Sequence, residues 1–225
     1  MTFSMEKIMG FCSGLWQMIG INFCFLFCNI PVLSFFVFVG ITEIGNYLPF
    51  FLLCLLPLGP SLSALFYSIF RFRKEKDITI FSVYIKGYCN NLKQSIEVSL
   101  LQLSLVFMMA MNIRFFTNII SIFFMQIFFK ILLIGIVIIT PYFYLLIMRY
   151  ELSVKYIIKN TLILALGRPI LLLGNTAASL FVLVFYEIMP GTAILFLGSV
   201  YGYLIIYMNQ KVFSDMENEK ELSCQ

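Results

Sequence analysis

"LPLGPSLSALFY", Leu56 to Tyr67, sets two prolines and a glycine inside an otherwise apolar run between Glu43 and Arg71. Read as a loop, it would divide that run into Ile44–Leu56 and Ser61–Phe70. Neither piece is long enough to cross a hydrocarbon core of roughly 30 Å at about 1.5 Å per residue. The two halves together do reach across, so the cluster reads as a kink within one span. Beyond it, Gly59, Ser63 and Tyr67 fall on one helical face, with Ser61, Ala64 and Ser68 on a neighbouring one. The expectation is a small, hydroxyl-rich surface, made of Gly59, Pro60, Ser61, Ser63, Ala64 and Tyr67, that meets another helix or a ligand. Residues of this kind bring helices together more often than they hold a substrate.

The rest of the chain supplies the setting for such a span. Of its 225 residues 61% are hydrophobic and 12% charged, and the mean hydropathy is +0.98, which places it outside the range of soluble domains. Long apolar runs recur from end to end. A lipid-exposed backbone must satisfy its own hydrogen bonds, so the runs read as helices. A β-barrel would instead show short alternating strands with polar lumen positions. The first run, Gly14–Val39, follows Lys7 as a signal sequence might, but it is too long and lacks a small-x-small cleavage site, so it reads as a retained span. The six cysteines, Cys12, Cys24, Cys28, Cys54, Cys89 and Cys224, form no Cys-x-x-Cys pair and read as small apolar packing residues.

Boundaries at charges and prolines give an all-α integral membrane protein of about six transmembrane helices, near 14–39, 46–70, 95–113, 119–148, 170–187 and 190–209. Two long connections are basic: Arg71 to Lys93 carries Arg71, Arg73, Lys74, Lys76, Lys86 and Lys93, and Arg149 to Arg168 carries Arg149, Lys155, Lys159 and Arg168. With Lys7, Lys211 and Lys220 at the ends, all of the 15 Lys and Arg residues except Arg114 and Lys130 fall on one side. The positive-inside rule makes that side, and both termini, cytoplasmic. Residues 1–210 then form one transmembrane domain, and 211–225, with Asp215, Glu217, Glu219 and Glu221, a short acidic cytoplasmic tail. The stretch 112–130 has two readings: an outer interfacial segment whose Arg114 and Lys130 reach headgroups, or part of a long, tilted fourth span.

Both connections look helical. Asp77 can cap a helix in which Ile80, Phe81, Tyr84, Ile85 and Tyr88 share a face, and Ser153 can cap one that sets Lys155 and Lys159 a turn apart. Two amphipathic helices at the cytoplasmic membrane surface are expected, with Lys86, Asn91, Lys93, Lys155, Lys159 and Asn160 as a candidate partner surface. "KGYCNN" (Lys86–Asn91) and "KYIIKN" (Lys155–Asn160) share a Lys-x4-Asn spacing after a proline-containing span. They hint at a weak parallel repeat against a background of common membrane-protein grammar.

Chemistry is sparse. The chain has no histidine, which removes the commonest general base and metal ligand, and it has no phosphate-binding or dinucleotide glycine motif. Glu43 and Glu187 sit at outer ends of spans and Glu97 at the inner start of the third, positions that suit interfacial pairing better than catalysis. No catalytic, cofactor-binding or metal-binding residue is assigned. Asn22 and Asn29 lie two turns apart on one face of the first span, and Asn175 lies beside Gly174 in the fifth. "GSVYG" (Gly198–Gly202) is a Gly-x-x-x-Gly match and Gly174 with Ala178 a small-x-x-x-small pair, both suited to close helix packing. Pro31, Pro57, Pro60 and Pro141 each remove a backbone donor inside a span. A net charge of +4 follows from topology and gives no nucleic-acid groove.

Trp16 with "NFCFLFCNIPVLS" (Asn22–Ser34), then "LPLGPSLSALFYSIFRF", "FSVYIKGYCNNLKQSI" (Phe81–Ile96) and "PYFYLLIMRYELSVKYIIKNTLILALGRP" (Pro141–Pro169) resemble, in order, the YesL-like family of small bacterial multi-span membrane proteins of unknown function. The likeness runs from about 16 to 175. Its most specific elements are Gly59-Pro60 with Ser63 to Tyr67, Asn91 to Gln94, and Lys159-Asn160 with Leu162 to Leu166. The chain has shorter polar segments between spans and more Phe and Cys than the family pattern.

The resemblance implies the plasma membrane of a Gram-positive bacterium and genes that accompany carbohydrate importers of the ATP-binding-cassette (ABC) class. It carries over no catalytic residue. The function expected from it is a non-enzymatic accessory subunit linked to sugar uptake, with an importer permease or ATPase as partner beside the lipid bilayer. The alternatives are a small stand-alone transporter or channel, with Tyr67 and Tyr142 stacking on sugar rings near the kinks, and a membrane regulatory or assembly protein.

Overall fold

In a computed structural model the backbone is described for residues 2–75, 79–118, 122–150 and 153–223. Among these residues the chain forms nine helices and no strand: α1 (Thr2–Cys28), α2 (Ile30–Phe38), α3 (Leu48–Leu55), α4 (Leu58–Lys74), α5 (Ile80–Asn118), α6 (Phe123–Arg149), α7 (Val154–Gly167), α8 (Pro169–Ile188) and α9 (Pro190–Ser223). Leu48–Lys74, Ile80–Asn118, Phe123–Arg149 and Pro169–Ile188 are long and apolar enough to cross a membrane. α1 and α2 make a fifth such stretch if the bent pair is one span. The expected sixth corresponds to Ile194–Gln210, a shorter apolar piece of α9.

The kink lies within one span. Leu56 (φ −56°, ψ −43°) and Pro57 (φ −66°, ψ −16°) keep helical dihedrals, so α3 passes into α4 although Pro57 and Pro60 donate no backbone hydrogen bond. The Leu56 N–H turns to the Leu53 carbonyl at 3.2 Å, and Ser61 resumes the ladder beyond the break, its backbone N–H and its Oγ both donating to the Pro57 carbonyl at 3.1 and 2.7 Å. The first apolar run breaks more sharply. α1 and α2 meet at 65° around Asn29, where Pro31 sits at the second position of α2 and lacks the N–H that would continue the ladder. Pro141, by contrast, is accommodated inside an unbroken α6.

Two expectations are corrected. The first basic connection is not a separate amphipathic helix: from Ile80 onward it is continuous with the apolar run that follows as α5, 39 residues and about 58 Å of helical path. Its polar residues mark no helix boundary, because backbone hydrogen bonding is indifferent to the polarity of the side chains it carries. The second connection does form its own helix, α7, with Ser153 at the N-cap position but without a capping bond from its side chain. The two segments with the Lys-x4-Asn spacing are therefore built differently. α9 runs through residue 210 without a break. Asp77, the expected cap, together with Lys76 and Cys224, lies outside the described residues.

The stretch 112–130 divides into the end of α5 and the start of α6, with 119–121 outside the described residues. Phe116 stacks on Phe129 with centroids 5.6 Å apart, and Gln126 Nε2 donates to the Phe116 carbonyl at 2.9 Å. Lys130 is exposed on α6, and Arg114 donates to the Gly45 carbonyl in the connection between α2 and α3.

α4 is the hub and packs against α1, α5, α6 and α9. Burial departs from the rule for water: small and hydroxyl residues turn inward beside the apolar core, where they permit close approach, and many large apolar side chains remain on the outer surface. Ser61, Ser63, Ala64, Leu65 and Ser68 of α4 are fully buried, whereas Leu173, Leu180, Phe181 and Leu183 of α8 are exposed. The basic helix ends converge at one end of the bundle. Phe70 of α4 is flanked by Lys74 and by Arg149 of α6, at 4.9 and 5.0 Å from its ring centroid. Arg73 lies over Tyr203 and Tyr207 of α9 and donates to Gln210 Oε1 at 2.7 Å.

Candidate functional site

α4 presents the expected small surface, and neighbouring helices occupy it. Gly59, Pro60, Ser61, Ser63 and Ala64 are buried. Tyr67 is half-buried, packs its ring on Gly87 of α5 and accepts a long hydrogen bond from Arg71 Nε at 3.4 Å. Glycine at 59 has a steric cause. A Cβ there would overlap Ser99 Oγ of α5 outright and approach Tyr144 Oη of α6 to 2.8 Å, so this is where α4, α5 and α6 come closest.

A chain of hydrogen bonds runs through that point. Ser63 Oγ donates to the Pro60 carbonyl at 2.9 Å and accepts from Ser95 Oγ at 3.0 Å. One turn on, Ser99 Oγ donates to the Ser95 carbonyl at 2.7 Å and lies 2.9 Å from Tyr144 Oη. Tyr144 reaches Gln102 Oε1 at 3.3 Å. Gln102 Nε2 donates to Thr140 Oγ1, which donates to the Ile136 carbonyl at 2.9 Å. From below, Tyr84 Oη donates to the Ser61 carbonyl at 3.2 Å. Ser99 Oγ gives its proton to the Ser95 carbonyl, so Tyr144 Oη is the donor shared between Ser99 Oγ and Gln102 Oε1. Ser95, Ser99 and Gln102 escaped the sequence reading, although their spacing puts them on one face of α5, which was the available signal.

A second polar clamp ties the ends of the chain together. Asn22 Nδ2 of α1 donates to the Ile194 carbonyl of α9 at 2.7 Å, the Gly198 N–H returns a bond to Asn22 Oδ1 at 2.9 Å, and Ser199 Oγ donates to the Met18 carbonyl at 2.6 Å. The Gly-x-x-x-Gly pair serves two partners: a Cβ on Gly198 would meet Asn22 Oδ1 at 2.7 Å, and one on Gly202 would meet Ile69 Cδ1 of α4 at 2.5 Å. Asn29, on the same face as Asn22, instead turns back onto the Phe25 carbonyl at 2.7 Å. Asn175 accepts from Asn209 Nδ2 at 2.8 Å between α8 and α9.

The prolines of the kinks differ in their surroundings. Pro31 is exposed, Pro60 and Pro141 are buried, and Tyr142 is buried in α6. Of the expected partner surface, Lys86 and Lys93 of α5 and Lys155 and Lys159 of α7 are exposed, and Asn160 is half-buried. Asn91, at 8% exposure, lies on the face of α5 that also buries Tyr84, Gly87, Ser95 and Val98. Glu43 accepts from Asn46 at 2.7 Å in the loop before α3, and Glu97 and Glu187 are exposed. No three acidic or cysteine side chains among the described residues gather as a metal site would require.

The family described as "Protein of unknown function, DUF624" matches the chain over residues 18–113. The matched region runs from within α1 to near the end of α5, and so contains Leu56–Tyr67 and its bonding partners on α5. No curated protein and no solved structure matches the chain.

Proposed function

We propose that this protein is a non-enzymatic accessory subunit of the plasma membrane that accompanies a carbohydrate importer of the ABC class. In this proposal six spans place both termini and the basic bundle end on the cytoplasmic side, in a Gram-positive host. One structural observation favours a subunit over a stand-alone transporter: the small, hydroxyl-rich face of α4 is taken up by α5 and α6, and Lys86, Lys93, Lys155 and Lys159 stay exposed. A transporter would keep such a face for its cargo, while a subunit spends it on internal rigidity and offers its partner the surface. The link to sugar uptake rests on the resemblance of the quoted segments to the YesL-like family.

A tagged copy purified in mild detergent from its own host is expected to bring down permease, ATPase or binding protein in near-equal amounts. The Lys86→Glu/Lys93→Glu variant should lower that recovery by about tenfold, since like charges set against each other at an interface cost upwards of about 1.4 kcal/mol. Recovery of an intact, well-folded chain with none of these subunits would overturn the proposal, and sugar flux through vesicles holding this chain alone would favour a transporter.

A further inference from the structure

We propose that the space between α5, α6 and α7 is a binding site for one acyl chain of an anionic phospholipid, whose phosphate rests on Lys155 and Lys159. A cavity of about 210 Å³ opens there, walled by Leu105 of α5, Ile139 and Phe143 of α6, and Val154, Ile158 and Leu162 of α7. An apolar cavity of about 150 Å³ already suffices for a benzene-sized guest. The single polar residue in the wall, Gln102, has both ends of its amide engaged, by Tyr144 and Thr140. The cavity surface itself is apolar, which offers nothing to orient a sugar or another hydrogen-bonding ligand, and a hydrocarbon chain asks for nothing more.

The charge beside the cavity selects the lipid. Val154, Ile158 and Leu162 form one stripe of α7 at successive turns, and Lys155 and Lys159 form the adjoining stripe, a rotation of about 100° away. Both lysines are exposed, and neither has a carboxylate within ion-pair distance among the described residues. The same helix therefore lines the cavity with apolar side chains and holds two cations at its edge. α7 starts just beyond Arg149, at the basic end of the bundle. Basic sites between helices on the cytoplasmic side suit acidic headgroups, and each lysine adds electrostatic attraction to them. The membrane itself is the source of the ligand, because the cavity wall takes the hydrocarbon and the lysines only the phosphate.

The test is native mass spectrometry of the full-length protein in vesicles of equal phosphatidylglycerol and phosphatidylcholine. The wild type is expected to retain one phospholipid, with phosphatidylglycerol favoured by about tenfold. Lys155→Gln/Lys159→Gln should bring the two lipids to parity without reducing the number retained, and Ile139→Trp, by filling the cavity, should reduce retention of both. Excess inorganic phosphate should leave the bound lipid in place. Parity of the two lipids on the wild type would overturn the headgroup assignment. Displacement by phosphate, or unchanged retention in a folded Ile139→Trp protein, would overturn the acyl-chain site.

Discussion

Gly59→Ala is expected to lower the melting temperature of the detergent-purified protein by about 2–8 °C, and Gly59→Leu to leave no monodisperse protein. Alanine is the better helix former, by about 1 kcal/mol, so on propensity alone the first substitution would stabilise. Packing opposes it. The added methyl falls on Ser99 Oγ and within 2.8 Å of Tyr144 Oη, and a crowded core costs about 1–3 kcal/mol per added group. Ser99 can turn away only by giving up its bonds to the Ser95 carbonyl and Tyr144. The net loss of about 1–2 kcal/mol sets the stated shift at about 2–4 °C per kcal/mol for a chain of this size. An unchanged or raised melting temperature for Gly59→Ala would mean that α4 and α5 do not meet closely at this point.

The Ser63→Leu/Ala64→Leu double variant should be lost from the folded fraction altogether, by fluorescence-detected size exclusion after mild heating. Both positions are fully buried. The pair adds bulk on two adjoining faces of α4, and removing the Ser63 hydroxyl leaves Ser95 Oγ without its acceptor. Overpacking at about 1–3 kcal/mol for each site, with an interhelical hydrogen bond of about 0.6–2 kcal/mol, takes a large share of the 5–15 kcal/mol that holds a typical protein together. Ser63→Ala removes only the hydrogen bond and should survive with a small shift. If the double variant eluted as the wild type does, this face of α4 would be facing lipid.

What the sequence shows of this fold is governed by what a local pattern can encode. Length against bilayer thickness was enough to join α3 and α4 across Pro57 and Pro60, since that argument needs only residue counts. Pro31 announced a disturbance in the first span, but not the 65° turn at Asn29, because the angle depends on what α2 packs against. α5 was misread as two elements. Asn90, Asn91, Lys93, Gln94 and Glu97 resemble a membrane boundary, yet Asn91 turns inward against its neighbours and the helix passes straight through. The contact surface of α4 was legible from spacing, whereas its partners were not, because Ser95, Ser99 and Tyr144 are brought to it by tertiary packing alone. The Gly198–Gly202 motif carried its meaning in the sequence, but its division between α1 and α4 required the structure.

The central claim is that Leu56–Tyr67 is a kinked, packed helix-contact surface and not the wall of an aqueous site. Labelling of single cysteines in native membranes tests this most directly. In a background with the native cysteines replaced, Ser63→Cys changes one atom and reports whether water reaches that face. With a charged methanethiosulfonate reagent, Ser63→Cys is expected to stay unlabelled under conditions that fully label Lys155→Cys, in keeping with the full burial of Ser63 and the exposure of Lys155. Labelling of Ser63→Cys at a rate comparable to Lys155→Cys would place an aqueous cavity against α4 and contradict the account.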